Sequence, residues 1–188
     1  MASQKVKTCG LFITKTPKTS FFYLGLGLLA KKDCAEGDVV IRIPRKVMMS
    51  VDTARDSEIG RLVAQDPMLK TMPNVTLSLH LMLEKTSPAS FWEPYINTLP
   101  HDYSTVLYFG KEDFDALRGS PAYDDALRQY KFVARQYAYF YRKFQTTMLK
   151  DYFTYDEYRW AVSTVMTRQN QVRLRFPGLA ERKFFKNR

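Results

Sequence analysis

The chain has 188 residues, 45% of them hydrophobic, and carries 29 Lys and Arg against 19 Asp and Glu, a net charge of +10. That is enough apolar material for one packed domain, while two cysteines, Cys9 and Cys34, exclude a disulfide scaffold. No apolar run approaches the ~20 residues of a bilayer-spanning helix, and residues 1–20 lack the apolar region of a secretory signal, so a soluble protein of a reducing compartment is expected. Asn74-Val75-Thr76 then matches the glycosylation pattern by chance.

The positive charge is not spread evenly. Residues 1–20 hold four lysines and no acid, and residues 168–188 hold seven basic residues against the single acid Glu181. The stretch between them is neutral, with 18 residues of each sign. Basic ends can meet phosphate backbones, but a basic terminus is commonly only solvated. Nucleic acid is therefore not the expected partner, and neither is a membrane.

Residues 21–50 read as strands. Val39-Val40-Ile41-Arg42-Ile43 is β-branched and stops at Pro44, and Asp33 to Asp38, with Gly37, reads as the turn before it. Ser50 can cap a helix from Val51 towards Ala64, and a second helix is expected from Asn74 through the leucine run. Residues 87–110 are rich in proline and aromatics and read as irregular, with Phe91, Trp92, Pro94, Tyr95 and Ile96 as packing residues. The clearest helix runs from Pro121 to Met148, where Leu127, Tyr130, Ala134, Tyr137, Tyr141 and Phe144 recur at steps of three and four. Pro121 suits the first helical position and Asp124 and Asp125 the first turn. A last helix, Thr154 to Met166, opens on a capping box of Thr154 with Glu157 and places Tyr155, Tyr158, Ala161, Val162 and Val165 on one face. Pro177-Gly178 breaks any continuation. A strand unit this short leaves edges that need partners, so the pattern is part of a larger α+β fold.

Chemistry-bearing motifs are few. His80 and His101 lack metal-ligand spacing. His80, on an apolar helix, reads as a core histidine, and His101 as a loop residue. Cys34 reads as a possible buried thiol. Gly25-Leu26-Gly27-Leu28 could let backbone approach a ligand, or mark a strand bend. In Arg168-Gln169-Asn170-Gln171 the guanidinium can grip a carboxylate at two points and Asn170 can donate and accept, though a polar helix end explains the run equally. Arg135-Gln136 sits among Tyr137, Tyr139, Phe140 and Tyr141, as a stacking arginine or one solvated polar pair.

The stretches GLGLLAKKDCAEGD, IPRKVMMSVDTA, SFWEPYINTLP, ARQYAYFYRKFQ and FTYDEYRWAVSTVMTRQNQ lie between Gly25 and Gln171. Together they resemble the SET-domain actin-histidine N-methyltransferases, in the group that includes the Rubisco lysine methyltransferases. The resemblance implies an α+β partial SET domain with a large, mainly helical insert. It divides the chain into a divergent basic N-terminus (1–24), an N-terminal SET β segment (25–50), a helical insert (51–167) and the start of a C-terminal SET segment followed by a basic tail (168–188). It implies S-adenosyl-L-methionine as cofactor, with Gly25, Gly27 and Arg168 against it, and actin as protein substrate, with Asn74, Arg135, Gln136 and Asn170 against the target peptide. Asn170 would bond the target imidazole. A neutral imidazole, with a reference pKa near ~6.5, has a free nucleophilic nitrogen at cytosolic pH, so holding nitrogen, methyl and sulfur in line is the main task, and it calls on no metal.

The chain departs from the family at both ends. Leu24 and Leu26 stand where the family has an acid and an aromatic, and residues 1–24 have no counterpart. After Gln171 the family continues into an Asn-His motif and an active-site tyrosine, neither found in residues 172–188. No catalytic residue is therefore assigned. The chain is expected to be a truncated form of a monomeric protein-histidine methyltransferase of the cytoplasm and also the nucleus. The alternatives are an inactive fragment that binds actin or peptide, and a protein-lysine (histone) methyltransferase.

Overall fold

The computed structural model describes residues 7–8, 11–15, 26–30, 33–145 and 149–170, with side chains from residue 30 onward. The chain divides into two compact units, Met1–Thr53 and Ala54–Arg188.

The first unit holds two antiparallel strand pairs. β1 (Lys7–Thr8) pairs with β4 (Ile41–Arg42), and β2 (Leu11–Lys15) pairs with β3 (Leu26–Ala30), with Gly27 opposite Thr14. β1 and β2 come from the stretch that sequence reading left as a divergent terminus, because its lysines mask a short alternation. The Val39–Pro44 run forms only two paired residues, since its partner β1 is two residues long. Val39, Ile41 and Ile43 are consequently exposed. The expected turn is present: Asp38 accepts from the Ala35 N–H at 2.9 Å, and Gly37 takes φ +90°, a conformation open to glycine at little cost. Cys34 in this turn is exposed, which corrects the expected buried thiol, because the turn residues 33–38 all lie at the surface.

The helix expected from Val51 to Ala64 is two helices. Ser50 caps the first as expected, its Oγ accepting from the Thr53 N–H, but α1 stops at Arg55 (Val51–Arg55) and α2 begins at Gly60 (Gly60–Gln65). The chain folds back so tightly that a Cβ on Gly60 would lie 2.0 Å from the Arg55 carbonyl oxygen, a space that only glycine leaves open. Asp66 then caps α3 (Pro67–Thr71), accepting from Met68 N–H at 2.8 Å and Leu69 N–H at 3.2 Å.

α4 (Pro73–Thr86) is buried along Val75, Leu79, Leu81, Met82 and Leu83 and packs on α8 (Tyr155–Arg168). The expected irregular stretch contains one turn of α-helix, α5 (Glu93–Ile96), and a 3-10 turn at Val106–Tyr108, and α6 (Lys111–Ala116) follows it. Phe91 and Tyr95 are exposed and Trp92 alone of the three rings turns inward, edge-on to His80 at 5.4 Å. This corrects the reading of the aromatic run as uniformly packed. α7 (Pro121–Phe144), capped by Ser120, spans about 36 Å and packs on α8. Its buried face is Ala126, Val133, Gln136, Phe140 and Phe144, a stripe displaced from the expected one. Tyr141 is exposed, while Tyr137 stacks on Phe153 at 5.2 Å. α8 opens on Thr154, whose Oγ1 accepts from the Glu157 N–H at 3.2 Å, while the Glu157 carboxylate takes the Lys85 ammonium at 2.6 Å and so ties α8 to α4. The loop before α6 is latched to α8 by Trp160 Nε1 donating to the Pro100 carbonyl and by the Tyr103–Thr164 and Thr105–Ser163 hydroxyl pairs. Among the described residues no helix is long and apolar enough to cross a membrane.

Candidate functional site

The start of α4, the middle of α7 and the end of α8 enclose a groove of about 340 Å³. Its apolar walls are Met72, Val75, Phe132, Val133, Val162 and Met166, and its polar groups are Asn74, Ser78, Gln129, Gln136 and Gln169. On α7, residues 129, 132, 133 and 136 line it because steps of three and four share a helix face. Among the described residues no charged side chain lines the groove, in a chain that is 26% charged.

Gln136 is the one buried polar side chain in that α7 face, only 4% exposed. The hydroxyl of Tyr158, itself fully buried on α8, donates to Gln136 Oε1 at 3.2 Å. Burial raises the Tyr158 pKa, so the hydroxyl keeps its proton. Gln129 Nε2 donates to Met166 Sδ at 3.2 Å across the rim, and Phe132 and Met166 remain partly exposed there.

Of the residues expected to bind substrate, Asn74 and Gln136 meet at this groove. Arg135, one position round α7, is exposed and does not line it. Arg168 and Asn170 are exposed at and just beyond the last turn of α8, where Gln169 is the lining residue. Arg168 lies near Tyr95, whose pKa is raised by burial and drawn back by the guanidinium. Gly27 lies in β3 of the other unit, and Gly25 lies outside the described residues. Reading the sequence missed Gln129, Phe132 and Met166. Their signal was the 129-132-133-136 spacing, which mixes glutamines with apolar residues and was hidden beside the longer aromatic stripe.

A larger groove, of about 870 Å³, lies between α4, α5 and the start of α8. Its charges largely serve one another: Lys85 pairs with Glu157 and sits 4.1 Å over Trp160, and Arg159 pairs with Asp156 and sits 4.4 Å over Tyr108. None of the residues expected to bind substrate lines it. His80 is fully buried as expected. Burial lowers its pKa against the pull of Glu84, whose Oε1 is 3.8 Å from Nδ1. Among the described residues no group of three or more His, Cys, Asp and Glu side chains is placed to hold a metal.

The chain superposes on the SET domain of LSMT bound to lysine and AdoHcy with a TM-score of 0.68 at 23% identity, over 85% of this chain and 34% of that one. It matches Rubisco LSMT bound to AdoMet equally, at a TM-score of 0.68 and 24% identity over 86% and 36% of the two chains. The fold is thus shared with part of the SET-domain methyltransferases, and its described part is mostly helical. In sequence, the chain is similar to the actin-histidine N-methyltransferases. It is 48% identical over 159 residues to that of Rhinolophus ferrumequinum, covering 81% of this chain and 27% of the relative. It is 49% identical to that of Gallus gallus and 48% to that of Homo sapiens, each over 79% of this chain and 26% of the relative. The chain therefore spans about a quarter of the length of these relatives. No profile of a known protein family matches it.

Proposed function

We propose that these residues belong to a SET-domain protein-histidine N-methyltransferase acting on actin, and that they build one wall of its substrate groove. The observation that carries this reading is the 48–49% identity to actin-histidine N-methyltransferases over about four fifths of the chain. The strand pairs are read as the opening of an α+β SET domain and the helices after them as its insert.

In this reading Asn74 and Gln136 hold the substrate backbone in the groove, and Arg135, exposed beside them, takes a more distant part of the same polypeptide. S-adenosylmethionine, when bound, supplies an electrophilic methyl group on a sulfonium. The residues here suit its amino-acid end: the exposed Arg168 guanidinium, which makes none of the ion pairs among the described residues, matches a carboxylate at two points. Gly25 and Gly27 are the positions where backbone would approach the cofactor. Asn170 bonds one nitrogen of the target imidazole, which leaves the lone pair of the other free to take the methyl group that the cofactor would supply. That transfer would break the sulfonium C–S bond as the N–C bond forms, leaving a neutral thioether, and the proton on the nitrogen held by Asn170 would pass to water. Orientation of this kind is worth orders of magnitude in rate. We place the protein with its substrate, in the cytoplasm and also the nucleus, as a monomer without a nucleic-acid partner.

The test is titration of labelled monomeric actin with the chain. Saturable binding is expected, weakened about tenfold, or ~1.4 kcal/mol, by Gln136→Ala. Absence of binding contradicts the reading. Methyl transfer is asked of the full-length protein, with the modified residue read by mass spectrometry. A methylated lysine in place of histidine would select the lysine-methyltransferase alternative.

A further inference from the structure

Two Ser-Pro pairs lie among the described residues, Ser87-Pro88 and Ser120-Pro121, and their hydroxyls are placed differently. Ser120 Oγ caps α7 by accepting from the Ala122 N–H. Ser87 follows the last residue of α4 and takes an extended backbone (φ −81°, ψ 119°), the conformation favoured before a proline. Its N–H donates to the Leu83 and Glu84 carbonyls, while its Oγ makes no hydrogen bond among the described residues. Ser87 and Pro88 are both exposed. Three residues on, Ser90 is tied down on both sides, donating to the Glu84 carboxylate at 2.6 Å and accepting from the Trp92 N–H at 3.1 Å. A free hydroxyl on an exposed, extended chain, ahead of a residue with no N–H, is the form in which a proline-directed protein kinase takes its acceptor. The kinase pocket for the next residue leaves an N–H unpaired, and proline has none.

We propose that Ser87 is a phosphorylation site for a proline-directed protein kinase, and that its phosphate draws Lys85 off Glu157. In the transfer the Ser87 hydroxyl oxygen bonds the γ-phosphorus of ATP and the bond from that phosphorus to the β–γ bridging oxygen breaks. ADP leaves with the electron pair, and the hydroxyl proton passes to the base of the kinase. The product carries about two negative charges at pH 7. They fall at the C-terminal end of α4, where the helix dipole disfavours an anion. They also face the larger groove, which Ser87 lines together with Glu84, Glu93, Asp156 and Glu157. A cation has to answer them, and Lys85 and Arg159 are the lysine and the arginine on that wall. Arg159 is held between Asp156, on its own helix, and the Tyr108 ring. Lys85 is two residues from Ser87, and its bond to Glu157 ties α4 to α8. A phosphate, with more charge than one carboxylate, competes for that ammonium. Ser87, Lys85 and Glu157 do not line the groove of Asn74 and Gln136, so the inference is independent of the choice of substrate.

The chain is incubated with ATP and a purified cyclin-dependent kinase, shown to be active on a standard Ser-Pro peptide, and the modified residues are mapped by mass spectrometry. Phosphate is expected on Ser87 in preference to Ser120, and it should be lost in both Ser87→Ala and Pro88→Ala. An unmodified Ser87, a preference for Ser120, or phosphate undiminished in Pro88→Ala would overturn the site. The consequence is read by amide hydrogen exchange at residues 158–161, where hydrogen bonding within α8 begins. Phosphorylation is expected to speed exchange there about two- to fivefold, the worth of a partly exposed ion pair. Lys85→Met should show the faster exchange already, with no further change on phosphorylation. Unchanged exchange in the phosphorylated chain, or an equal gain in Lys85→Met, would overturn the role given to Lys85.

Discussion

A few side chains hold positions that composition could not reveal. Asp66 caps α3 with one oxygen and receives the Tyr139 hydroxyl (2.8 Å) and the Lys143 ammonium of α7 on the other. Burial alone would raise its pKa, but the bonds from Lys143, Tyr139 and the Leu69 N–H together hold it below the usual 3.8. A carboxylate lowered in the native state adds stability above its unfolded pKa and loses it as pH falls through the native value. His80, lowered by burial from 6.5, works in the same direction at higher pH: once the unfolded chain binds a proton that the core refuses, stability declines. Lys143→Met is expected to cost about 1–2 kcal/mol at neutral pH, at the lower end because the ammonium is partly in water. It should also move the acid loss assigned to Asp66 to higher pH, checked by urea unfolding at a series of pH values. A loss equal at every pH would contradict this account. Neither Asp66 nor Lys143 was legible as a pair, since 77 residues separate them and no local pattern joins them.

At the scale of elements, helix ends were legible and helix faces less so. Pro121 and Thr154 lie where capping chemistry puts them because an N-cap is decided by a few adjacent residues. The Val51–Ala64 helix broke because the contact at Gly60 is set by the fold-back of the chain and not by periodicity. The α7 stripe was displaced because aromatic residues occur nearly all round that helix, so spacing alone admits several faces, and packing against α8 chose the one through Gln136. The α8 cap should matter more than an average surface site, since Thr154 and the Lys85–Glu157 pair start the helix that α4 and α7 both pack on. Thr154→Ala is expected to lower stability by about 0.5–2 kcal/mol, read as a shift in the denaturant midpoint at constant slope. No shift would mean that tertiary packing alone holds the first turn.

For the molecule as a whole, family resemblance was carried by short strings dispersed from Gly25 to Gln171, whereas the groove that unites Asn74 with Gln136 needed three helices in register. Arg135 and Asn170 were named beside those two for the substrate, yet they lie outside the groove on exposed positions, and Arg168, named for the cofactor, is exposed as well. A site assembled from several segments is legible in sequence as residues and only in structure as a surface. The central claim is that the α4–α7–α8 groove, and not the larger charged one, is where the protein substrate lies. The measurement that tests it most directly is amide hydrogen exchange of the chain with and without monomeric actin. The account predicts slowed exchange at residues 72–78, 129–136 and 162–169. Slowing confined to the groove of Glu93, Asp102 and Arg159, or none at all, would contradict it.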